Sequence, residues 1–159
     1  FTIFGCFVSI LSFYEKSSYY LISVMAIVWF ADSGAYFVGK YFGKTKLSPT
    51  ISPGKTWEGA VGGYLIVFFL SVISTYIFEI SDSFVSSIKD NVGWFIWFLC
   101  ISLIILFSIF GDIFESFLKR LANVKDSGKF LPGHGGVLDR IDALIPVMPL
   151  ALIFEKNLI

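Results

Sequence analysis

The chain has 159 residues, of which 56% are hydrophobic and only 15% charged, with a mean hydropathy of +0.80 and zero formal net charge. Soluble domains carry about 25% charged residues, so the composition argues against a soluble helical bundle. With no net positive charge, no nucleic-acid partner is expected.

Crossing a hydrocarbon core about 30 Å thick takes roughly 20 apolar residues of helix, and five segments compete for that role. The first, 1–13, is apolar but short, and reads as the tail of a truncated span. The second, 19–42, is long enough and carries Asp32 in its middle. The third, 57–78, opens on "WEGAVGG", whose Gly59, Ala60, Gly62 and Gly63 allow close helix approach. The fourth, 92–110, continues into "GDIFESFLKRL" at helical spacing. The fifth, 138–158, has Asp139, Arg140 and Asp142 at its start and Pro146 and Pro149 inside. Cys6 and Cys100 lie in separate apolar runs and are expected to be free thiols. The chain begins at Phe1 instead of Met, so a fragment or processed form is expected.

The connections sort by charge. Lys40, Lys44, Lys46 and Lys55 lie around the link between the second and third segments. Lys119, Arg120, Lys125, Lys129 and Arg140 lie around the link between the fourth and fifth. Only Lys16, Lys89 and Lys156 fall elsewhere, so nine of twelve cations sit on alternate connections. The positive-inside bias places those two loops in the cytoplasm. The expected fold is therefore an all-α polytopic membrane protein with about five transmembrane helices and two polar cytoplasmic loops. Residues 1–159 are read as a single membrane-embedded domain.

Those loops hold the chemistry. In "FSIFGDIFESFLKR", Asp112, Ser116 and Lys119 fall at i, i+4 and i+7 on one helical stripe, with Glu115 beside it. A carboxylate at the edge of hydrocarbon usually faces a cavity or a partner, although a helix end in the interfacial region also accounts for Lys119. In "PGHGGVLDRID", glycines around His134 permit close backbone approach to an anion. Asp139 and Asp142, spaced i, i+3, share a face of a helix start. They either cap that helix or join Asp112 in an oxygen-rich site suited to Mg²⁺.

The "LSPTISPGKTWEG" stretch is not a phosphate-binding P-loop, because Pro49 stands where the motif needs glycine. It reads as a rigid, proline-punctuated loop offering Ser52, Lys55 and Thr56 to phosphate oxygens, with Glu58 just beyond. Attraction of anionic headgroups is the plainer reading of its charge. A zinc site fails for want of ligands, with one His and no nearby Cys. A serine triad lacks a nucleophile elbow. Cations for phosphates, carboxylates for a divalent ion and glycines for close approach together point to phosphoryl or nucleotidyl transfer at a membrane surface.

The stretch "SFLKRLANVKDSGKFLPGHGGVLDRID", residues 116–142, resembles the signature of the phosphatidate cytidylyltransferases, or CDP-diacylglycerol synthases. The matching positions are Ser116, Lys119, Arg120, Lys125, Asp126, Gly128, Pro132, His134, Gly135, Gly136, Asp139, Arg140 and Asp142. "ADSGAYFVGKYFGKTKLSPTISPGKTWEG" is similar to the family's preceding cytoplasmic region, and the likeness covers residues 24–154. It implies CMP transfer from CTP to phosphatidic acid, giving CDP-diacylglycerol and pyrophosphate. It also implies Mg²⁺ dependence, with K⁺ or a second Mg²⁺ as a further cation. A homodimer in the lipid bilayer is implied, in a bacterial-type inner membrane with its active site facing the cytoplasm. Asp112, Asp139 and Asp142 are the implied metal ligands, and Ser116 and Lys119 the implied flanking catalytic residues. Ser52, Lys55, Thr56, Arg120, Lys125, His134 and Arg140 are the implied substrate contacts.

Family members have several more spans ahead of this region, so the chain is expected to be truncated at its N-terminus. The rival readings are a CTP-dependent polyprenol or phytol kinase, a synthase of CDP-activated ether lipids, and an ion-coupled transporter with Asp32 and Asp112 on its path. A transporter should scatter polar residues near mid-membrane, whereas here they gather at one face.

Overall fold

A computed structural model describes residues 2–76, 83–124, 127–128 and 136–158. In chain order the described elements are α1 (Thr2–Lys16), α2 (Ser18–Phe42), β1 (Lys46–Ser48), β2 (Ser52–Thr56), α3 (Trp57–Tyr76), α4 (Phe84–Leu121), α5 (Leu138–Ile141) and α6 (Leu144–Leu158).

The boundary between α1 and α2 is local chemistry. Ser17 leaves helical geometry, and its hydroxyl accepts from the Tyr19 amide at 3.2 Å, capping α2. Helix α2 then runs to Phe42 and packs along α3 through a seam of small residues. A methyl group on Gly62 would come within 2.5 Å of the Val38 side chain, and one on Gly63 within 2.5 Å of the Ala31 carbonyl. The seam exists because glycine leaves that space open. Helix α4 breaks at Gly93, whose φ of 78° a side chain would strain. From Trp94 to Leu121 it continues for about 42 Å, longer than a hydrocarbon core. Its charged last turns therefore project beyond that core.

Three described helices, α2, α3 and α4, are long and apolar enough to cross a bilayer. Their outer faces carry Trp29, Phe37, Phe69, Phe95 and Phe110 exposed, while Val24, Ile104 and Ile105 are packed inside. Helices apolar on both faces are suited to lipid as the outer solvent. The protein is an integral membrane protein, dominated by helix. Helices α1 and α6 have 15 residues each, about 22 Å, so three of the five expected crossings reach full length. The two pack on each other, and a Lys16–Glu155 ion pair of 2.9 Å joins their ends.

Two expectations need correction. The proline-punctuated loop contains a two-stranded antiparallel hairpin, pairing Lys46 with Thr56 and Ser48 with Ser52. The fifth segment is not one helix from Leu138. It is the single turn α5, a break at Asp142–Ala143, and then α6. Pro146 has no amide to give the Asp142 carbonyl, so an uninterrupted helix would lose that bond.

Candidate active site

The hairpin is held from its base. Glu58, in the first turn of α3, accepts from the Lys44 and Thr45 amides at 3.1 Å. Thr56 is buried, and its hydroxyl accepts from the Gly59 amide at 3.1 Å, capping α3. These bonds fix the strand between them, so Lys55 is aimed at α4 and forms an ion pair with Asp112. Arg120, the residue after Lys119, donates from its Nε to the Ile51 carbonyl at 3.4 Å and ties the hairpin to the end of α4.

A second lysine is held more tightly. Lys119 pairs with Glu115 on its own helix and, at 2.9 Å, with Asp139 on α5. Glu115 is only 6% exposed. Asp139 also accepts from the Gly136 amide at 2.7 Å and the Ser127 amide at 3.0 Å. Burial works against the Asp139 charge, but Lys119 and the two amides outweigh it and hold the carboxyl below the usual carboxylate range.

The break before α6 brings in a third carboxylate. Gly111 lies against Pro146 and the Asp142 carbonyl, where a methyl group would come within 2.6 Å of Pro146 and 2.8 Å of that carbonyl. Glycine here lets the start of α6 touch α4, which sets Asp142 beside Asp112. Burial, and then the Asp112 charge, push the Asp142 carboxyl up to about 7. Its Oδ1 accepts from the Ala143 amide at 2.8 Å. The expected common face of Asp139 and Asp142 is therefore not used as one surface, since the first engages Lys119 and the second Asp112.

Between α2, the hairpin, α3 and α4 lies a cavity of about 590 Å³. Ser52, Lys55, Thr56 and Asp112 line it, together with Lys40, Lys46 and Asp32. Lys119 and Asp139 form a separate node on the last turns of α4, and Ser116 is half-buried between the two. Arg140 is exposed on α5. Lys125 and His134 lie outside the described residues. Among the described residues no three His, Cys, Asp or Glu side chains form a metal-ligating group. The Asp112–Asp142 pair brings two such side chains together.

Two residues left out of the expected site stand inside it. Glu115 could have been found from its i, i+4 spacing to Lys119. Asp32 could have been found as a carboxylate within a membrane-length segment.

A lysine–carboxylate cavity at one end of a membrane bundle suits transfer between anionic substrates, and comparison with known proteins narrows the class. Residues 1–157 match the family model described as "Cytidylyltransferase family". The chain belongs to the cytidylyltransferase family. It is 44% identical over 129 residues to a protein of Haemophilus influenzae called phosphatidate cytidylyltransferase, covering 81% of this chain and 43% of that protein. Proteins of the same name from Bacillus subtilis and Thermotoga maritima are 42% and 47% identical over 147 and 136 residues. Those matches cover 92% and 85% of this chain and 51% and 48% of the relatives. The chain thus spans about half the length of the curated relatives it matches.

Proposed function

We propose that the protein transfers CMP from CTP to phosphatidic acid, releasing pyrophosphate and forming CDP-diacylglycerol. The observation that carries this reading is the Lys55–Asp112 pair in the cavity of a membrane-embedded cytidylyltransferase-family chain. A phosphatidate oxygen attacks the α-phosphorus of CTP, a new P–O bond forms, and the bond to the β-phosphate oxygen breaks. The lipid phosphate is already ionised near neutral pH, so no strong general base is needed. Lys46 and Lys55 at the cavity and Lys119 beyond it would offset the charge developing on the pyrophosphate. Ser52 and Arg120, on and against the hairpin, would orient phosphate oxygens. Lys125, His134 and Arg140 complete the proposed set of substrate contacts.

The donor set fits Mg²⁺, which is commonly bound through one or two carboxylates and substrate phosphates. Asp112 lies beside Asp142 and loads it with like charge, which a divalent cation would relieve. Asp112 and Asp142 would hold the ion. Asp139 is proposed as a third ligand; in the structure it is engaged by Lys119 and stands apart from those two. When bound, Mg²⁺ supplies neutralisation of phosphate charge and fixes the orientation of the phosphates. A second cation, K⁺ or Mg²⁺, belongs to the same proposal. So do a homodimeric assembly and a bacterial-type inner membrane with the site facing the cytoplasm, the side that the cation-rich hairpin favours.

The test is to supply CTP labelled at the α or the γ phosphate, with phosphatidate, to the full-length protein. Label entering the lipid from the α position supports the transferase. Label entering from γ would make it a kinase and overturn the proposal.

A further inference from the structure

The cavity is polarised in a way that phosphate transfer leaves unused. Its mouth, at the hairpin, carries Lys40, Lys46 and Lys55. Deeper along α2 it takes in Asp32, about 16 Å of helix axis from Gly43, where the charges of Asp112 and Lys55 still reach it. Asp32 occupies the middle of a helix long enough to cross a membrane, yet its side chain is accessible, because it opens into this space. A carboxylate at such a depth is costly unless it faces a partner or a ligand. Among the described residues Lys55 is the cation whose charge acts on Asp32, and Lys55 is already paired with Asp112. The fully buried Ser108 of α4 lies against Asp32.

A carboxylate repels phosphate, so this part of the cavity suits an uncharged group that donates hydrogen bonds. The remaining walls are small, aliphatic and aromatic, with Ala31, Ile105 and the ring of Tyr64 among them. The Tyr64 hydroxyl is tied to Ser102 at 2.8 Å, which holds the ring in place. A flat, neutral ring with an amine on its edge matches that surface. Resting on the activity proposed above, we infer that Asp32 selects cytidine by accepting a hydrogen bond from the exocyclic amine of the base. Uracil presents a carbonyl oxygen at the same position, and its lone pairs would face the carboxylate. Lysines at the mouth and a carboxylate deeper along α2 then fix which way the nucleotide enters.

The test begins with the wild-type, full-length protein and phosphatidate, comparing CTP with UTP and with the triphosphate of 2-pyrimidinone, which lacks the amine. Both alternatives should lose at least about tenfold in kcat/KM, since a site built around a donor leaves a polar group unpaired when the donor is absent. Asp32→Asn should lower kcat/KM for CTP while bringing the CTP:UTP ratio towards unity, and Asp32→Glu should restore preference for CTP. Equal use of CTP and the amine-free analogue by the wild type would overturn the inference, even if no Asp32 variant folds. An equal loss on CTP and UTP in Asp32→Asn, or a change only in Mg²⁺ dependence, would also overturn it. These failures leave the transferase reading standing, whereas absence of any CMP transfer by the wild type would remove both.

Discussion

Two lysines at the polar end of the bundle meet their carboxylates in different ways. Lys55 comes from the hairpin and, among the described residues, has Asp112 as its one ion-pair partner, the two side chains being 24% and 30% exposed at the cavity wall. Lys119 comes from α4 and sits between Glu115 and Asp139, in a cluster whose side chains are 8–17% exposed. One cation pairs singly on an open wall and can exchange its carboxylate for a phosphate. The other is held by two acidic groups and resists displacement. The first arrangement suits substrate contact, and the second keeps a positive charge in a fixed place.

The largest expected effect tests whether the carboxylates act together. Asp112→Asn should lower kcat/KM by at least about a thousandfold. Adding Asp139→Asn should make the protein scarcely worse, because residues serving one function are non-additive. Mg²⁺ chelation should abolish turnover of the wild type, and readdition should restore it. Near-full activity of Asp139→Asn with unchanged Mg²⁺ dependence would remove Asp139 from the metal set and leave it a partner of Lys119 only.

A smaller effect sharpens the contrast between the lysines. Glu115→Gln keeps the shape of the side chain but removes the charge, and is expected to lower kcat roughly ten- to hundredfold with less change in KM. The buried Lys119 would then lean on Asp139 alone. If Glu115→Gln raises KM and leaves kcat intact, Lys119 is a substrate contact like Lys55 and the contrast fails. Lys55→Ala should cost about 1.5–3 kcal/mol of a charge-assisted contact, roughly ten- to a hundredfold in kcat/KM. The smallest change should come from Lys44→Ala, whose exposed side chain stands beside the hairpin base. Its kcat/KM should stay within about twofold of wild type. Equal, small losses at Lys44 and Lys55 would favour general attraction of anionic headgroups over a defined site.

Much of the frame was legible in the linear order of residues. The small residues at 59–63 announced a close helix seam, and that seam is where α2 and α3 meet. The spacing of Asp112, Ser116 and Lys119 announced a continuous helix, and α4 runs through to Leu121. The hairpin escaped notice because Pro53, Gly54 and Lys55, the middle of β2, are residue types depleted in strands. It is held by Glu58 and the ends of two helices, contacts that a local pattern does not record.

By itself the sequence determined the solvent, the helices and the end of the bundle where charge gathers. Those properties follow from composition and from a helical period that each segment satisfies alone. Which acid meets which base was decided only by tertiary structure. Asp112 and Lys55 are distant along the chain, and their pairing depends on Thr56 and Glu58 fixing the hairpin against α3. Asp139 and Asp142 are neighbours along the chain but go to different partners. The cause is that Pro146 interrupts the backbone ladder and Gly111 admits the interrupted turn against α4. Pairing between segments depends on where rigid helices cross, and neither charge nor periodicity along one segment encodes that position.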